Sequence, residues 1–137
     1  MATTAEAQIS AIVPTLTVDD LEKSIAFYQA LGFAIEAQWD DGGSMRGVML
    51  RAGTTQIGLN QDNWQKGRDR VKGIAVRLSF STTTAGSVDA IAKRARDAGI
   101  SLQSEPLDAE GFRAFELIDP SGFLLTVYAV SDDQSAG

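Results

Sequence analysis

Leu16-Thr17-Val18-Asp19-Asp20, then a helical stretch, then Ala30-Leu31-Gly32-Phe33: the reading of this run decides the fold, because the chain writes it a second time as Leu78-Ser79-Phe80, a helical stretch, and Asp97-Ala98-Gly99-Ile100. Each copy reads as a strand, a helix and a strand, with a glycine placed to stop the helix. In the first copy Asp19 is positioned to cap the helix, and Glu22 completes a capping-box arrangement. Leu21, Ile25, Tyr28 and Leu31 recur at helical spacing and give that helix one apolar stripe. In the second copy a helix from about Ser87 to Ala98 carries Val88, Ile91, Ala92 and Ala95 as its buried stripe.

Working outward from these anchors, strands are predicted over Ile9–Val18, Phe33–Asp40, Arg46–Ala52 and Thr54–Asn60 in the first half. In the second half they are predicted over Ile74–Phe80, Ser101–Pro106, Phe112–Ile118 and Phe123–Val130. Gly42-Gly43 and Asp119-Pro120-Ser121-Gly122 mark turns. An offset of 62 residues separates Leu16 from Leu78, and 67 separates Gly32 from Gly99. An insertion of about five residues in the Ser/Thr-rich turn at 81–86 accounts for the difference. The order is βαβββ, a connector, then βαβββ, which makes an α+β protein. We expect one domain over 1–137, with module one about 9–60, the connector 61–73, module two about 74–130 and a frayed tail at 131–137.

Composition bounds the chemistry. A chain of 137 residues can bury roughly two thirds of its unfolded surface, and 44% hydrophobic with 22% charged residues is ordinary for a globular domain. The net charge of −6 argues against nucleic acid, whose binding rests on neutralising phosphates. With no cysteine there is no disulfide, thiolate nucleophile or zinc-thiolate site. With no histidine there is no Ser-His-Asp triad. Gly42-Gly43 lacks the Lys-Ser/Thr ending of a phosphate loop. Met1 to Gln8 carries Glu6 and no basic stretch, and no long apolar run follows. Neither a signal peptide nor a membrane span is expected, and the cytoplasm is the default location.

Side chains alternate across a strand, so each strand divides into two faces. Ile12, Pro14, Leu16 and Val18 share one face of the first strand, Ile57 and Leu59 one face of the fourth, Val76, Leu78 and Phe80 one face of the fifth, and Leu125, Val127 and Ala129 one face of the last. These apolar sets must meet the helices. The opposite set, which includes Thr15, Gly58, Arg77, Thr126 and Tyr128, is small or polar. It faces either solvent, as one side of an antiparallel sheet commonly does, or a cleft. Val13, Gly58, Ala75 and Leu124 are poor choices for a fully wetted face and favour the cleft.

Two motifs carry a resemblance. The first is Leu16-Thr17-Val18-Asp19-Asp20-Leu21-Glu22-Lys23-Ser24-Ile25-Ala26-Phe27-Tyr28 with Leu31-Gly32-Phe33, and the second is Asp119-Pro120-Ser121-Gly122-Phe123 running into the last strand. In combination they resemble the vicinal oxygen chelate superfamily, which includes glyoxalase I, extradiol dioxygenases and bleomycin resistance proteins. The resemblance spans about residues 9 to 130 and implies two βαβββ modules whose curved mixed sheets surround a cleft. It also implies a homodimer with clefts shared between subunits. Metal enzymes of that superfamily take ligands from the first, fourth, fifth and last strands, positions that fall here on Val13, Gly58, Ala75 and Thr126. None is His, Glu or Gln, and a register slip of two brings in only the neutral oxygens of Gln56, Asn60 or Thr15. The resemblance is therefore nearest to the metal-free, bleomycin-resistance-like members. It implies no metal, no cofactor, no catalytic residue, and a small organic molecule as the partner.

The cleft candidates are Thr15, Trp39, Met49, Arg51, Gly58, Asn60, Trp64, Arg77, Glu116, Thr126 and Tyr128. Arg77 either holds a carboxylate or phosphate with its planar fork or pairs with Glu116 on a neighbouring strand. Tyr128 is either a ligand wall or a half-buried phenol with its hydroxyl satisfied. Trp39 and Trp64 suit either stacking on a flat ligand or packing at a dimer interface. Met49 and Arg51 share a strand face and line the same cavity, unless Met49 is core. The connector, with Lys66, Arg68, Arg70 and Lys72, is either a solvated run or a local anion-attracting lid. Three functions remain: metal-free sequestration of a small organic molecule, a superfamily enzyme using unusual metal ligands or the lone Glu116 carboxylate as base, and an interaction module with a vestigial cleft.

Overall fold

A computed structural model of the chain describes residues 8–130; the expected frayed tail at 131–137 lies outside the described residues. Module one runs β1 (Thr15–Val18), α1 (Leu21–Ala30), β2 (Ala34–Asp41), β3 (Ser44–Ala52) and β4 (Thr55–Gln61). Module two repeats the order with β5 (Arg77–Ser81), α2 (Ala85–Asp97), β6 (Ser104–Ala109), β7 (Phe112–Ile118) and β8 (Leu124–Val130). Each module folds into a four-stranded mixed sheet, ordered β1-β4-β3-β2 and β5-β8-β7-β6. In each, the strand before the helix lies parallel to the last strand, and the other pairings are antiparallel. The α+β class and the doubled βαβββ order expected from the repeat are what the structure has.

Local chemistry explains the elements and corrects their edges. The residue that caps α1 is Asp20, not Asp19: its side chain accepts the Lys23 amide at 3.2 Å. Thr84 caps α2 in the same way, accepting from Ser87 N, so that helix starts earlier than its apolar stripe suggests. Gly32 and Gly99, at φ +112° and +84°, reverse the chain past each helix in a conformation that L side chains rarely adopt. The strand expected from Ile9 forms only from Thr15. Pro14 has no N–H for the ladder, and Ile12, expected on the core face, is 86% exposed. The strand expected at Ser101–Pro106 instead runs Ser104–Ala109, an edge strand with a register shift around Pro106.

The core holds Leu16, Val18, Val48, Leu50, Ile57 and Leu59 of the first sheet together with Phe115, Leu117, Leu125 and Val127 of the second. Removing each large apolar side chain from water contributes about 1.5–3 kcal/mol. The helical stripes fall on this core as their spacing requires, with Leu21, Ile25, Tyr28 and Leu31 of the first, and Val88, Ala92 and Ala95 of the second, buried.

The seam between the modules is made by the two motifs of the resemblance. Tyr28 donates its hydroxyl to Asp119 Oδ2 at 2.7 Å, and the Asp19 amide donates to Ser121 Oγ at 2.9 Å. Asp119 Oδ1 accepts the amides of Ser121 and Phe123, so the turn before β8 is held from inside. Burial first, and then the Asp119 charge, hold the Tyr28 phenol protonated far above its ordinary range. Phe33 packs on Phe80 at 5.6 Å, and the Arg94 guanidinium donates to the carbonyls of Gln29 and Ala30. The connector joins the same seam. Lys72, expected as part of a solvated run, is only 7% exposed and sits between Asp19 (2.5 Å) and Asp62 (2.7 Å).

Candidate functional site

Strand register sorts the cleft candidates into two open faces, one on each sheet, turned away from the helices. On the first sheet, Trp39, Gly47, Asn60 and Thr17 form one row and Ala37, Met49, Gly58 and Thr15 the next, with Arg51 beside Gln56 beyond. On the second, Ser79, Thr126, Glu116 and Ser104 form a row, flanked by Arg77–Leu124–Ile118 and by Ser81–Tyr128–Ala114–Leu107. The alternation read from the sequence thus brings ten of the eleven candidates onto these faces. Within one chain, however, the faces do not close over each other. Among the described residues no hydrogen bond or ion pair joins one to the other, and Thr15, Trp39, Arg77 and Ser79 are exposed. The cleft expected around the curved sheets is not enclosed by the chain alone.

The eleventh candidate lies elsewhere. Trp64, at φ +62°, is in the connector, where the Arg68 guanidinium and the Lys72 ammonium each stand 4.6 Å from its ring. Cation–π contacts of this kind engage the surface that a flat ligand would stack on. Trp64 lines a hollow of about 630 Å³ with Met45, Arg46 and Asn63. A second hollow of about 350 Å³ opens between the modules at Phe33, Phe80, Ile91 and Val127. Neither reaches Arg77, Glu116, Thr126 or Tyr128. Volume alone points to these hollows, but the uncommitted polar groups lie on the open faces, and chemistry is the better guide to a ligand.

One end of the first open face is internally paired. Arg51 Nε donates to Glu36 Oε2 at 2.5 Å, and Gln56 Nε2 donates to Glu36 Oε1 at 2.7 Å. The Arg51 hydrogen bond, then that of Gln56, hold the Glu36 carboxyl below its ordinary range. Sequence reasoning missed Glu36 because alternation is interrupted there: the β2–β3 register shifts between Ile35 and Ala37, and the bulge brings Glu36 to its partners. Trp39 lies flat on Gly47, where an added Cβ would fall inside the indole.

The second face is different. Arg77 Nη2 stands 3.6 Å from Glu116 Oε2, the ion pair anticipated between these strands, yet too long for a hydrogen bond. Arg77 is placed beside Leu124 and reaches diagonally across β8. Thr126, between Ser79 and Glu116 in its row, has a buried hydroxyl with no hydrogen-bond partner. Tyr128 packs edge-on against Phe112 at 5.8 Å.

A family model, the Glyoxalase/Bleomycin resistance protein/Dioxygenase superfamily, matches residues 8–127. The chain belongs to this superfamily. Solved structures of the superfamily's shape agree. A glyoxylase/bleomycin resistance protein/dioxygenase domain from Frankia sp. EAN1pec aligns at TM-score 0.76 and 17% identity, covering 92% of this chain and 95% of that one. A hypothetical protein from S. aureus aligns at 0.69 and 25% identity, covering 92% and 98%. A lactoylglutathione lyase from Agrobacterium tumefaciens aligns at 0.65 and 20% identity, covering 90% and 96%. No curated protein matches the chain.

The superfamily's metal positions fall on uncharged residues in this fold. Val13 and Ala75 precede β1 and β5, and the β1 and β5 residues that register pairs with Gly58 and Thr126 are Thr15 and Ser79, while the Glu116 carboxylate opposite Thr126 belongs to β7, outside these strands. Neither set supplies an imidazole or a carboxylate. Among the described residues no three His, Cys, Asp or Glu side chains gather to hold an ion. Hydroxyls and a glycine do not fit a divalent cation. Also among the described residues, no helix is long and apolar enough to cross a membrane.

Proposed function

We propose that this protein binds a small organic molecule on the open face of its second sheet, without a divalent metal, and holds it by sequestration. The observation that carries the reading is the Thr126 hydroxyl, buried and unpartnered where the superfamily's metal enzymes place a ligand, beside an Arg77–Glu116 pair that makes no hydrogen bond. Buried polar groups in native proteins are rarely left without a partner; the Ser24 hydroxyl shares that state but lies in the core, whereas Thr126 lies under an open sheet face. In this reading the protein is a cytoplasmic homodimer, and the second copy closes what one chain leaves open. Aromatic Tyr128 and Phe112 supply a wall, and the ion pair supplies orientation.

A second reading has one observation in its favour. Glu116 is the carboxylate on this face, placed beside Thr126, and as a general base it would make the protein an enzyme. Elemental analysis of untagged protein, sedimentation, and a ligand screen monitored at Arg77, Glu116 and Thr126 separate the readings. We expect no stoichiometric metal, a dimer, and saturable binding without turnover. About one equivalent of nickel, zinc, iron or manganese per chain would overturn the metal-free reading. Conversion of a bound compound would favour the enzyme.

A further inference from the structure

We infer that the second open face selects a neutral ligand presenting an amide-like carbonyl and N–H side by side on an aromatic or apolar body; this rests on the small-molecule reading above. The charges of this face are Arg77 and Glu116, at 3.6 Å, with side chains 56% and 33% exposed. Among the described residues neither side chain makes a hydrogen bond; Arg46 and Arg68 make none either, but Arg77 alone of the three stands beside a carboxylate on an open sheet face, whereas Arg51, Arg70, Arg94, Arg96 and Arg113 all donate at least one. The pair therefore offers guanidinium donors next to carboxylate acceptors, with net charge zero.

That combination discriminates. An anion docking on Arg77 would lie against Glu116, and a cation docking on Glu116 would lie against Arg77. Each would leave one charge newly desolvated and unmatched, which is costly. An amide meets both demands: its carbonyl oxygen accepts from Arg77, and its N–H donates to Glu116. Thr126 lies beside Glu116 in the same row with its hydroxyl buried beneath the face, so the pair alone presents the polar contacts. Apart from the serines of its rows, Ser79, Ser81 and Ser104, the two ends of the face are apolar or aromatic. Tyr128 and Phe112 meet edge-on at one end, and Leu124 and Ile118 lie at the other, with Phe112 and Ile118 45% and 46% exposed. An amide on a flat apolar body covers these groups while matching the pair.

The test uses three probes of one shape: benzamide, benzoate and benzylammonium, titrated into the full-length, isotope-labelled chain and followed by NMR. Benzamide is expected to shift the signals of 77–79, 114–116 and 124–128 saturably, and both ions to bind about tenfold more weakly, the cost of one desolvated and unmatched group. Glu116→Gln is expected to reverse the preference toward benzoate, because Arg77 then has no competing carboxylate. Arg77→Met is expected to abolish the benzamide preference with Tm unchanged. A purely structural pair would not reverse selectivity. The inference falls if benzoate or benzylammonium binds wild type more tightly than benzamide, or if the three bind alike; in both cases small-molecule binding at this face still stands. If no probe, and no compound of a mixed fragment library, shifts an open-face residue, both fall. If the same signals shift with protein concentration alone, a second copy occupies the face and the inference falls as well.

Discussion

The two modules share one βαβββ order, and they differ most where the shared pattern stops constraining them. Both apolar faces are packed alike, with Val48, Leu50, Ile57 and Leu59 in one sheet and Phe115, Leu117, Leu125 and Val127 in the other, each at most 1% exposed. The open faces have diverged. In the first sheet Glu36, Arg51 and Gln56 satisfy one another and Trp39 fills the place of a side chain at Gly47. In the second, Arg77, Glu116 and Thr126 are uncommitted. The turns diverge too. The first module joins β3 to β4 through Gly53-Thr54, while the second joins β7 to β8 through Asp119–Phe123, which reaches back to α1. A doubled fold needs its core face in both copies, whereas the other face is free to become structural in one and receptive in the other.

The largest break in this comparison comes at the turn. Asp119 is 3% exposed and accepts three hydrogen bonds, so Asp119→Ala strands three donors and is expected to cost about 3 kcal/mol or more. Tyr28→Phe removes one of those bonds and is expected to cost about 2 kcal/mol. Thr54→Ala in the exposed counterpart turn should stay within about 0.5 kcal/mol. Urea denaturation of the three variants checks the order; equal losses at Asp119 and Thr54 would mean that the longer turn is not a seam.

The connector gives the next effect and a pH signature. Hydrogen bonds from Lys72 and from the Trp64 amide hold the Asp62 carboxyl down from 3.8 to about 2. A carboxyl depressed on folding stabilises the fold above its unfolded pKa, and that contribution is lost as pH falls through the folded value. Wild type should therefore lose stability between about pH 4 and pH 2, in a step that Asp62→Asn removes while lowering Tm by several degrees at pH 7. Lys72 takes part from the other side. Burial alone would lower its pKa, but the hydrogen bonds with Asp19 and Asp62 outweigh that and raise it. A superimposable pH profile for wild type and Asp62→Asn would show that the pair contributes nothing.

On the first open face, Gly47→Ala sets a methyl group against the Trp39 indole. The ring is 42% exposed and can swing outward. The expected cost is about 1 kcal/mol, with a red shift of the tryptophan emission as the readable sign. An unshifted spectrum would mean that the indole does not rest on Gly47.

Why much of this was legible in the chain, and part was not, follows from which forces act locally. The repeat, the helical stripes and the alternation of β4 and β8 are set by the requirement to bury one face, so Leu16, Tyr28, Leu59 and Val127 sit where their spacing puts them, whereas Val76, expected on the buried face of the fifth strand, precedes β5 and is 46% exposed. The same alternation placed Thr15, Arg77 and Thr126 on open faces. It failed where a backbone irregularity overrides period two: at Glu36, on a bulge, and around Pro106, where β6 carries one residue more than β7 between paired positions. It failed again where a partner is distant in sequence. Asp19 looks like the helix cap, but its amide is held by Ser121 and its carboxylate by Lys72, and no local pattern reports either. For the same reason Trp64, a stacking candidate by type, is engaged by Arg68 and Lys72.

The smallest effect is the sharpest discriminator between the faces. Arg51→Ala and Arg77→Ala each delete an arginine from an open face, and both residues have a carboxylate nearby. Arg51 is hydrogen-bonded to Glu36 and also donates to the Gly53 carbonyl at 3.3 Å, whereas Arg77 makes only the 3.6 Å approach to Glu116. Both pairs are solvent-exposed and screened, so neither is worth much. The directions nonetheless differ. Arg51→Ala should lower Tm slightly at pH 7, by an amount that shrinks in high salt. Because Glu36 is held below its ordinary 4.5 in the folded state, the difference should also fade as pH drops below that value, where the stabilisation from the depressed carboxyl is lost. Arg77→Ala should leave Tm unchanged, since it breaks no hydrogen bond. If Arg77→Ala proves the more destabilising of the two, the second face is as structural as the first, and the contrast between a committed and a receptive module does not hold.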